Sequence, residues 1–270
     1  MICFPNAKIN IGLNVLRRRT DRYHDIETVF YPLTGCRDIL EAVPSAAYNL
    51  QLSGTGMDCP TEDNLVTKAY RLLAADFDLP PMHIYLHKQI PFGAGLGGGS
   101  ADAAFLLVML DKSCSLGLGT SRLQAYACRL GADCSFFVRN EPVFASGRGD
   151  VFSDIDLSLR NYFLVLLKPD IHVSTPEAYA GVSPRLPEYS LKELVGQPVE
   201  CWKDTIVNDF ETSVFARYPE IGRLKQQLYE AGAIYASMSG SGSSVYGLFK
   251  KPCDLRPFFP ECYYWAGLLS

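Results

Sequence analysis

The residues with the most chemical content form one run, Pro91-Phe92-Gly93-Ala94-Gly95-Leu96-Gly97-Gly98-Gly99-Ser100-Ala101-Asp102-Ala103-Ala104. It follows a strand-like stretch and opens an apolar helix. Five glycines in seven residues, 93 to 99, let a backbone approach a ligand closely and take positive φ. The helix that begins there presents free N–H groups and the positive end of its dipole. Together these features bind phosphate without any basic side chain. The plainer alternative is a flexible turn with no ligand. Adjacent glycines cost stability against alanine, and a run this dense weighs against that alternative.

Two familiar glycine patterns fail at this run. Gly93, Gly95 and Gly98 match G-x-G-x-x-G, but the acid-ended strand expected about 20 residues on is missing. Leu116-Gly117-Leu118-Gly119 stands there instead. Gly93 and Gly98 also fit the start of a Walker A loop, yet Gly99 holds the lysine position. Asp102 could be mistaken for a catalytic base. Lying just after the loop, it is expected to stabilise the helix dipole. His83 and His87 are four apart on a strand, about 13 Å by strand rise, and read as surface residues rather than a metal pair.

Stepping from chemistry to scaffold, Ala7, Ile9, Ile11, Leu13 and Val15 alternate with Lys8, Asn10, Gly12 and Asn14. This predicts a half-buried strand with Lys8 and Asn10 on one face. Further strands are expected at Ile26–Leu33, Ile39–Val43, Tyr48–Leu52, Met82–Lys88 and Tyr162–Lys168, with a pair at Ile234–Met238 and Val245–Phe249. Helices are expected at Thr61–Phe77, capped by Asp63, and at Ser100–Lys112. Thr120–Leu130, ended by Gly131, and Pro219–Ala231 complete them. Ser174-Thr175-Pro176-Glu177 reads as a capped helix start with proline in the first turn. Residues 131–138 are expected to lead into strand. The class is α+β, with a domain boundary near Asp154–Asn161, giving domains 1–157 and 158–270.

Composition narrows the partners. The net charge of −4 leaves no broad basic field for nucleic acid. The only dense basic run, Arg17-Arg18-Arg19, is expected to be a solvated loop. Nine cysteines, at 3, 36, 59, 114, 128, 134, 201, 253 and 262, never reach C-x-x-C spacing. That argues against a zinc or thioredoxin-type site and for reduced thiols in a cytoplasm. No signal peptide and no apolar run of about 18 residues is present, so no membrane partner is expected.

At the glycine run the sequence resembles the galactokinase, homoserine kinase, mevalonate kinase and phosphomevalonate kinase (GHMP) superfamily. Phe4–Leu13 resembles its N-terminal motif and Ala236–Ser244 its C-terminal glycine motif. Within the superfamily, Lys8-Ile9-Asn10, Asp21-Arg22-Tyr23-His24 and Leu130-Gly131-Ala132-Asp133 narrow the likeness. With Ser174–Tyr179 and Asn208-Asp209-Phe210-Glu211, they resemble the kinases of 4-diphosphocytidyl-2-C-methyl-D-erythritol. The likeness runs nearly end to end.

That resemblance implies a two-domain GHMP kinase fold, with a ribosomal protein S5 domain 2-like N-terminal domain and a ferredoxin-like C-terminal domain. It implies ATP-dependent phosphorylation of the 2-hydroxyl of the cytidyl substrate in the non-mevalonate isoprenoid pathway. The N-terminal domain would bind ATP through Pro91–Ala101 and carry catalysis, and the C-terminal domain would contribute to substrate and nucleotide binding. Asp133 would accept the hydroxyl proton, although a helix cap alone would also explain its place. Lys8 would fix Asp133 and offset transferred charge; an exposed strand lysine is its plainer alternative. Asn10, Tyr23, His24, Thr175, Tyr179, Gly240 and Ser241 would bind substrate, with Tyr23 and Tyr179 as stacking faces and His24 at the cytosine edge. Mg²⁺ would accompany ATP, with Ser100 as a ligand or with water alone.

Two positions depart from the family pattern. Arg22 stands where glycine is usual, which would strain a turn of positive φ. Ser135 stands where proline is usual. The alternative functions are a sister kinase of homoserine or mevalonate type, and an inactive nucleotide-binding regulator.

Overall fold

The structure, a computed structural model, describes residues 1–55 and 60–269; Cys59 lies outside them. In chain order the first strands are β1 (Ile2–Cys3), β2 (Asn6–Arg18), β3 (His24–Arg37), β4 (Ile39–Pro44), β5 (Asn49–Gly54) and β6 (Met82–Lys88). Next come β7 (Val143–Ser146), β8 (Val151–Asp154), β9 (Phe163–Lys168), β10 (Tyr235–Met238), β11 (Val245–Phe249) and β12 (Tyr263–Leu268). The helices are α1 (Leu65–Ala74), α2 (Gly98–Ser113), α3 (Gly119–Leu130), α4 (Cys134–Arg139), α5 (Thr175–Ala180), α6 (Leu191–Leu194), α7 (Phe210–Arg217) and α8 (Pro219–Glu230).

The chain packs as two compact units. The first holds Met1–Ala7, Cys36–Phe92 and Gly97–Glu141; the second holds Lys8–Gly35, Gly93–Leu96 and Pro142–Ser270. In the first, a sheet of order β1-β4-β6-β5 pairs β5 parallel to β6, and the chain between them carries α1. Leu40, Ile84, Leu86, Leu73, Leu106 and Leu110 form the centre of its core. In the second, one sheet runs β2-β3-β7-β8 and another, antiparallel where paired, runs β10-β11-β9-β12. Its core joins Leu13, Val165, Phe210, Ile221, Leu228 and Val245.

Most expected elements are present, and β6 falls on the expected residues. Three expectations are corrected. The strand at 7–15 is buried on both faces, not half-buried. Its polar residues meet protein partners rather than water: Lys8 bonds Asn10, and Asn14 Nδ2 donates to Glu27 Oε1 at 2.8 Å. The cap of α1 is Asn64, not Asp63. Asn64 is extended, and its Oδ1 accepts from Val66 N at 2.9 Å. Residues 131–138 lead into strand only after a helix: α4 takes Cys134–Arg139, and β7 begins at Val143. Cys134, Phe136 and Phe137 are buried there, and packing against α2 and α3 overrides their strand propensity.

Candidate active site

In the second unit, β2 sets Lys8 and Asn10 two residues apart on one face. Lys8 is only 3% exposed. A buried ammonium needs acceptors, and Lys8 Nζ donates to Asn10 Oδ1 at 2.6 Å and to the Gly95 carbonyl at 3.1 Å. It also lies 4.9 Å from the centre of the Phe30 ring. Asn10 is locked in turn, donating to Thr28 Oγ1 at 2.9 Å. Lys8 is therefore a positioned cation rather than the exposed strand lysine of the plainer reading.

The stretch Gly93–Leu96 packs against the turn 239–244 between β10 and β11. Ser239 Oγ donates to the Gly95 carbonyl at 2.8 Å, and Ser244 N to the Ala94 carbonyl at 3.3 Å. Gly95 has φ +73°, and a Cβ there would stand 2.0 Å from the Ser239 carbonyl oxygen. Only glycine fits so close an approach. Gly240 is buried beside Asn10, and Ser241 is partly exposed at the tip. Within the second unit, the two glycine segments thus meet at van der Waals range. Ser244 Oγ is buried and makes no hydrogen bond among the described residues.

The same unit holds the expected base-recognition residues. The rings of His24 and Tyr179 stack, with centroids 4.7 Å apart and planes at 13°. Phe210 meets Tyr179 edge-on at 4.8 Å. Burial, then the charge of Arg18, holds the His24 pKa below its ordinary value. Tyr23 is 58% exposed and lies under the Arg148 guanidinium at 5.3 Å. Of the two rings expected as stacking faces, Tyr23 and Tyr179, only Tyr179 lies against His24, the residue expected at the cytosine edge. Arg22 takes φ +71°, the strained conformation expected for arginine in a glycine turn. The turn closes through Arg19 N to the Tyr23 carbonyl at 2.8 Å. The basic run ends β2 as an exposed edge, with Arg17 and Arg19 both paired to Asp25. Thr175 opens α5, whose cap Ser174 accepts from Glu177 N at 3.3 Å.

In the first unit, Gly97 is the N-cap of α2 at φ +70°, and Gly98, Gly99, Ser100 and Ala101 make its first turn. Pro91 and Phe92 precede the loop, with Phe92 69% exposed. Asp133 stands at the N-cap position of α4, and its side chain makes no capping bond. Ser135, at the usual proline position, sits in the first turn, where proline is also tolerated, and its Oγ donates to the Ala132 carbonyl at 3.1 Å. The Ser100 hydroxyl lies beside the Cys134 thiol, which burial pushes up to about 11. His83 and His87 bond Asn49 and Ser53 across β5, and no metal-holding cluster of His, Cys, Asp or Glu exists among the described residues.

Asp102 is not a dipole partner in the first turn. It lies deeper in α2, 2% exposed, and accepts from Lys88 Nζ at 2.6 Å. Lys88 also pairs with Asp38, whose other oxygen accepts from Gln89 N and Ile90 N at 2.6 and 2.8 Å. Burial, offset by Lys88, raises the Asp102 carboxyl to about 7, and its Oδ1 makes no hydrogen bond among the described residues. This triad ties the strand end before the loop to the helix after it. Sequence reasoning missed it, because its members come from three separate stretches with no shared local pattern.

Residues 64–141 match the model described as GHMP kinases N terminal domain, and residues 191–255 match GHMP kinases C terminal. A protein of Parabacteroides distasonis named 4-diphosphocytidyl-2-C-methyl-D-erythritol kinase is 55% identical over 272 residues, covering all of both chains. One of the same name from Porphyromonas gingivalis is 45% identical, again over the whole of both. A crystal structure of 4-(cytidine 5'-diphospho)-2C-methyl-D-erythritol kinase is 32% identical, with a TM-score of 0.82 over 100% of this chain and 99% of that one. A mevalonate kinase, 11% identical with a TM-score of 0.70, shares the fold.

Proposed function

The chain belongs to the 4-diphosphocytidyl-2-C-methyl-D-erythritol kinase family of the GHMP kinases, and from that premise we propose that it moves the γ-phosphoryl group of ATP to the 2-hydroxyl of that cytidyl substrate, releasing ADP. The observation that carries this reading is the 55% identity to a relative of that name along the whole chain. The stacked His24–Tyr179 pair favours it over the homoserine and mevalonate alternatives. A bare polyol or amino acid offers such rings nothing, whereas a flat base gains roughly 1–3 kcal/mol on an aromatic face.

Phosphoryl transfer asks a protein for positioning and charge neutralisation more than for covalent help. Asp133 accepts the proton of the attacking hydroxyl, and Lys8 offsets charge on the transferred group. Lys8 suits this because Asn10 and the Gly95 carbonyl already fix its ammonium. Pro91–Ala101 wraps the nucleotide phosphates with backbone N–H groups, and Asn10, Tyr23, His24, Thr175, Tyr179, Gly240 and Ser241 hold the acceptor. Residues 1–157 carry ATP binding and catalysis, and residues 158–270 add substrate and nucleotide contacts. Mg²⁺ screens the phosphates when bound. Ser100 would offer such an ion one hydroxyl oxygen beside phosphates and water, or water alone would serve; among the described residues no cluster of His, Cys, Asp or Glu would cage it. The partner is a small molecule. Among the described residues no cysteine is joined in a disulfide, which fits a reducing cytoplasm.

The test is ADP release with the cytidyl substrate, homoserine and mevalonate in parallel. Turnover is expected with the first alone; faster turnover with either of the others overturns the reading. Asp133→Asn is expected to fold normally and lose about 10² to 10⁴ in kcat. Lys8→Ala should do similar damage, and the double variant less than the product of the two. Near-normal turnover of Asp133→Asn would mean that another group takes the proton.

A further inference from the structure

The motif Asn208-Asp209-Phe210-Glu211 has no part in the chemistry above, yet each of its side chains is engaged. Asn208 is 2% exposed. Its Nδ2 donates to the carbonyls of Met238 and Gly240 at 2.9 and 2.8 Å, and its Oδ1 accepts from Phe210 N at 3.0 Å. One amide thus grips the second glycine turn on both sides of Ser239, the residue whose hydroxyl holds the Gly95 carbonyl. That same carbonyl accepts from Lys8 Nζ. Two residues on, the Phe210 ring stands edge-on to Tyr179 at 4.8 Å, and Tyr179 stacks on His24.

The segment that carries both groups is itself anchored. Asp209 N donates to the Leu13 carbonyl at 2.8 Å, and Asp209 Oδ2 accepts from Val15 N at 2.7 Å. Leu13 N donates to the Val207 carbonyl at 2.9 Å, so residues 207–209 extend the edge of β2, the strand that carries Lys8. Glu211 Oε1 accepts from Met238 N at 2.8 Å and Ser237 Oγ at 3.3 Å, while Lys225 pairs with its other oxygen at 2.6 Å. The tetrapeptide therefore references the second glycine turn and the Tyr179 ring to one stretch of backbone.

We propose that Asn208 and Phe210 are separate positioning residues of the transfer reaction: Asn208 fixes the 239–244 turn, and through it Gly95 and Lys8, whereas Phe210 fixes the ring of Tyr179 for the cytosine. The proposal rests on the function given above and adds a division of labour within one motif. Asn208 acts on the turn, the Gly240 carbonyl included, and Phe210 acts on the Tyr179 ring; the two are joined through Phe210 N and Asn208 Oδ1, a backbone bond that Phe210→Leu keeps. Their substitutions should therefore separate in kinetics. A residue that serves only the fold would move every parameter together.

The experiment compares Asn208→Ala and Phe210→Leu in the full chain by steady-state kinetics, with CDP binding measured by calorimetry. Asn208→Ala is expected to lower kcat about tenfold or more, since small misplacement of reacting groups is costly, and to leave CDP affinity within about twofold. Phe210→Leu is expected to weaken CDP binding and raise the cytidyl KM about fivefold or more, with kcat and the ATP KM within about threefold. If both variants change the same parameters, or neither changes any, the division of labour is refuted. Should Asn208→Ala fail to fold, Ser239→Ala removes the next link; an unchanged kcat there also refutes it. Wild-type protein that neither binds CDP nor turns over the cytidyl substrate would instead refute the function on which the proposal rests.

Discussion

The two glycine-rich segments both use positive-φ glycines and differ in what surrounds them. Gly93–Gly99 leads into the sixteen-residue helix α2, and its shape comes from successive positive-φ glycines. The turn 239–244 joins two strands; it has positive-φ glycines of its own, at 240 and 242, and the Asn208 side chain grips it through the carbonyls of Met238 and Gly240. The supports differ as well. Buried ions, Asp38, Lys88 and Asp102, flank the first segment; a neutral amide grips the second. A segment whose free N–H groups must face polyphosphate has few side chains to spare for its own support. The adjoining strand and helix must be tied instead, and an ion triad does that. A turn between strands can be pinned directly.

The largest effect that would test this contrast is at the point where the segments touch. Gly95→Ala places a methyl group 2.0 Å from a backbone oxygen that cannot rotate away, at φ +73°. The expected result is a loss of at least about 10² in kcat/KM for ATP, the usual result of shifting a reacting group by about an ångström. Steady-state kinetics with ATP varied would show it. Activity within a few-fold of wild type would mean that the approach of Gly95 to Ser239 is not needed for catalysis.

How much of this was legible in the sequence depends on the range of the contact. Most local signals held: the capped start at Ser174 with Pro176 in the first turn, the helix α8 and the strand pair β10–β11 all follow from spacing a few residues long, although the α1 cap fell one residue away, at Asn64. The positive φ of Arg22 followed from the glycine usual at that place in the family. Tertiary decisions were not legible. Residues 134–139 carry strand-forming side chains, yet their burial against two helices makes a helix. Lys8 looked exposed by alternation because nothing local reveals that its face is covered. The His24–Tyr179 stack and the Asp38–Lys88–Asp102 triad join distant stretches, and a single sequence carries no sign of such pairings.

A smaller effect separates ionic from neutral support. The folded state holds the Asp102 proton to about pH 7, above an ordinary carboxyl, because burial disfavours its charge. The folded protein thus binds more protons than the unfolded chain between about pH 4 and 7, and this group's contribution to stability falls as pH rises through that window. Asp102→Asn cannot titrate. Urea midpoints at pH 5 and pH 8 should show wild type losing stability relative to Asp102→Asn on the alkaline side. Asn208→Ala should show no such change in its difference from wild type. If wild type gains on Asp102→Asn as pH rises, the ionised carboxylate is the stabilising form, and the contrast between the two supports changes sign.

The smallest effect on the protein gives the sharpest information about the ligand. Gly99 differs from Gly95 in both respects that made Gly95 irreplaceable. It is helical rather than positive in φ, and among the described residues a Cβ there would meet only Leu65 Cδ1, at an ordinary 3.9 Å. Alanine in a helix is favoured over glycine by up to about 1 kcal/mol. Gly99→Ala should therefore leave the melting temperature unchanged or raise it by a few degrees. With no protein atom in the way, a rise in the ATP KM could come only from the methyl group meeting the nucleotide. The expected outcome is a stable variant whose ATP KM rises about tenfold while the cytidyl KM stays within about twofold. A variant equally stable and equally good with ATP would place the phosphates away from the first turn of α2. The close backbone approach would then belong to Gly93–Gly97 alone.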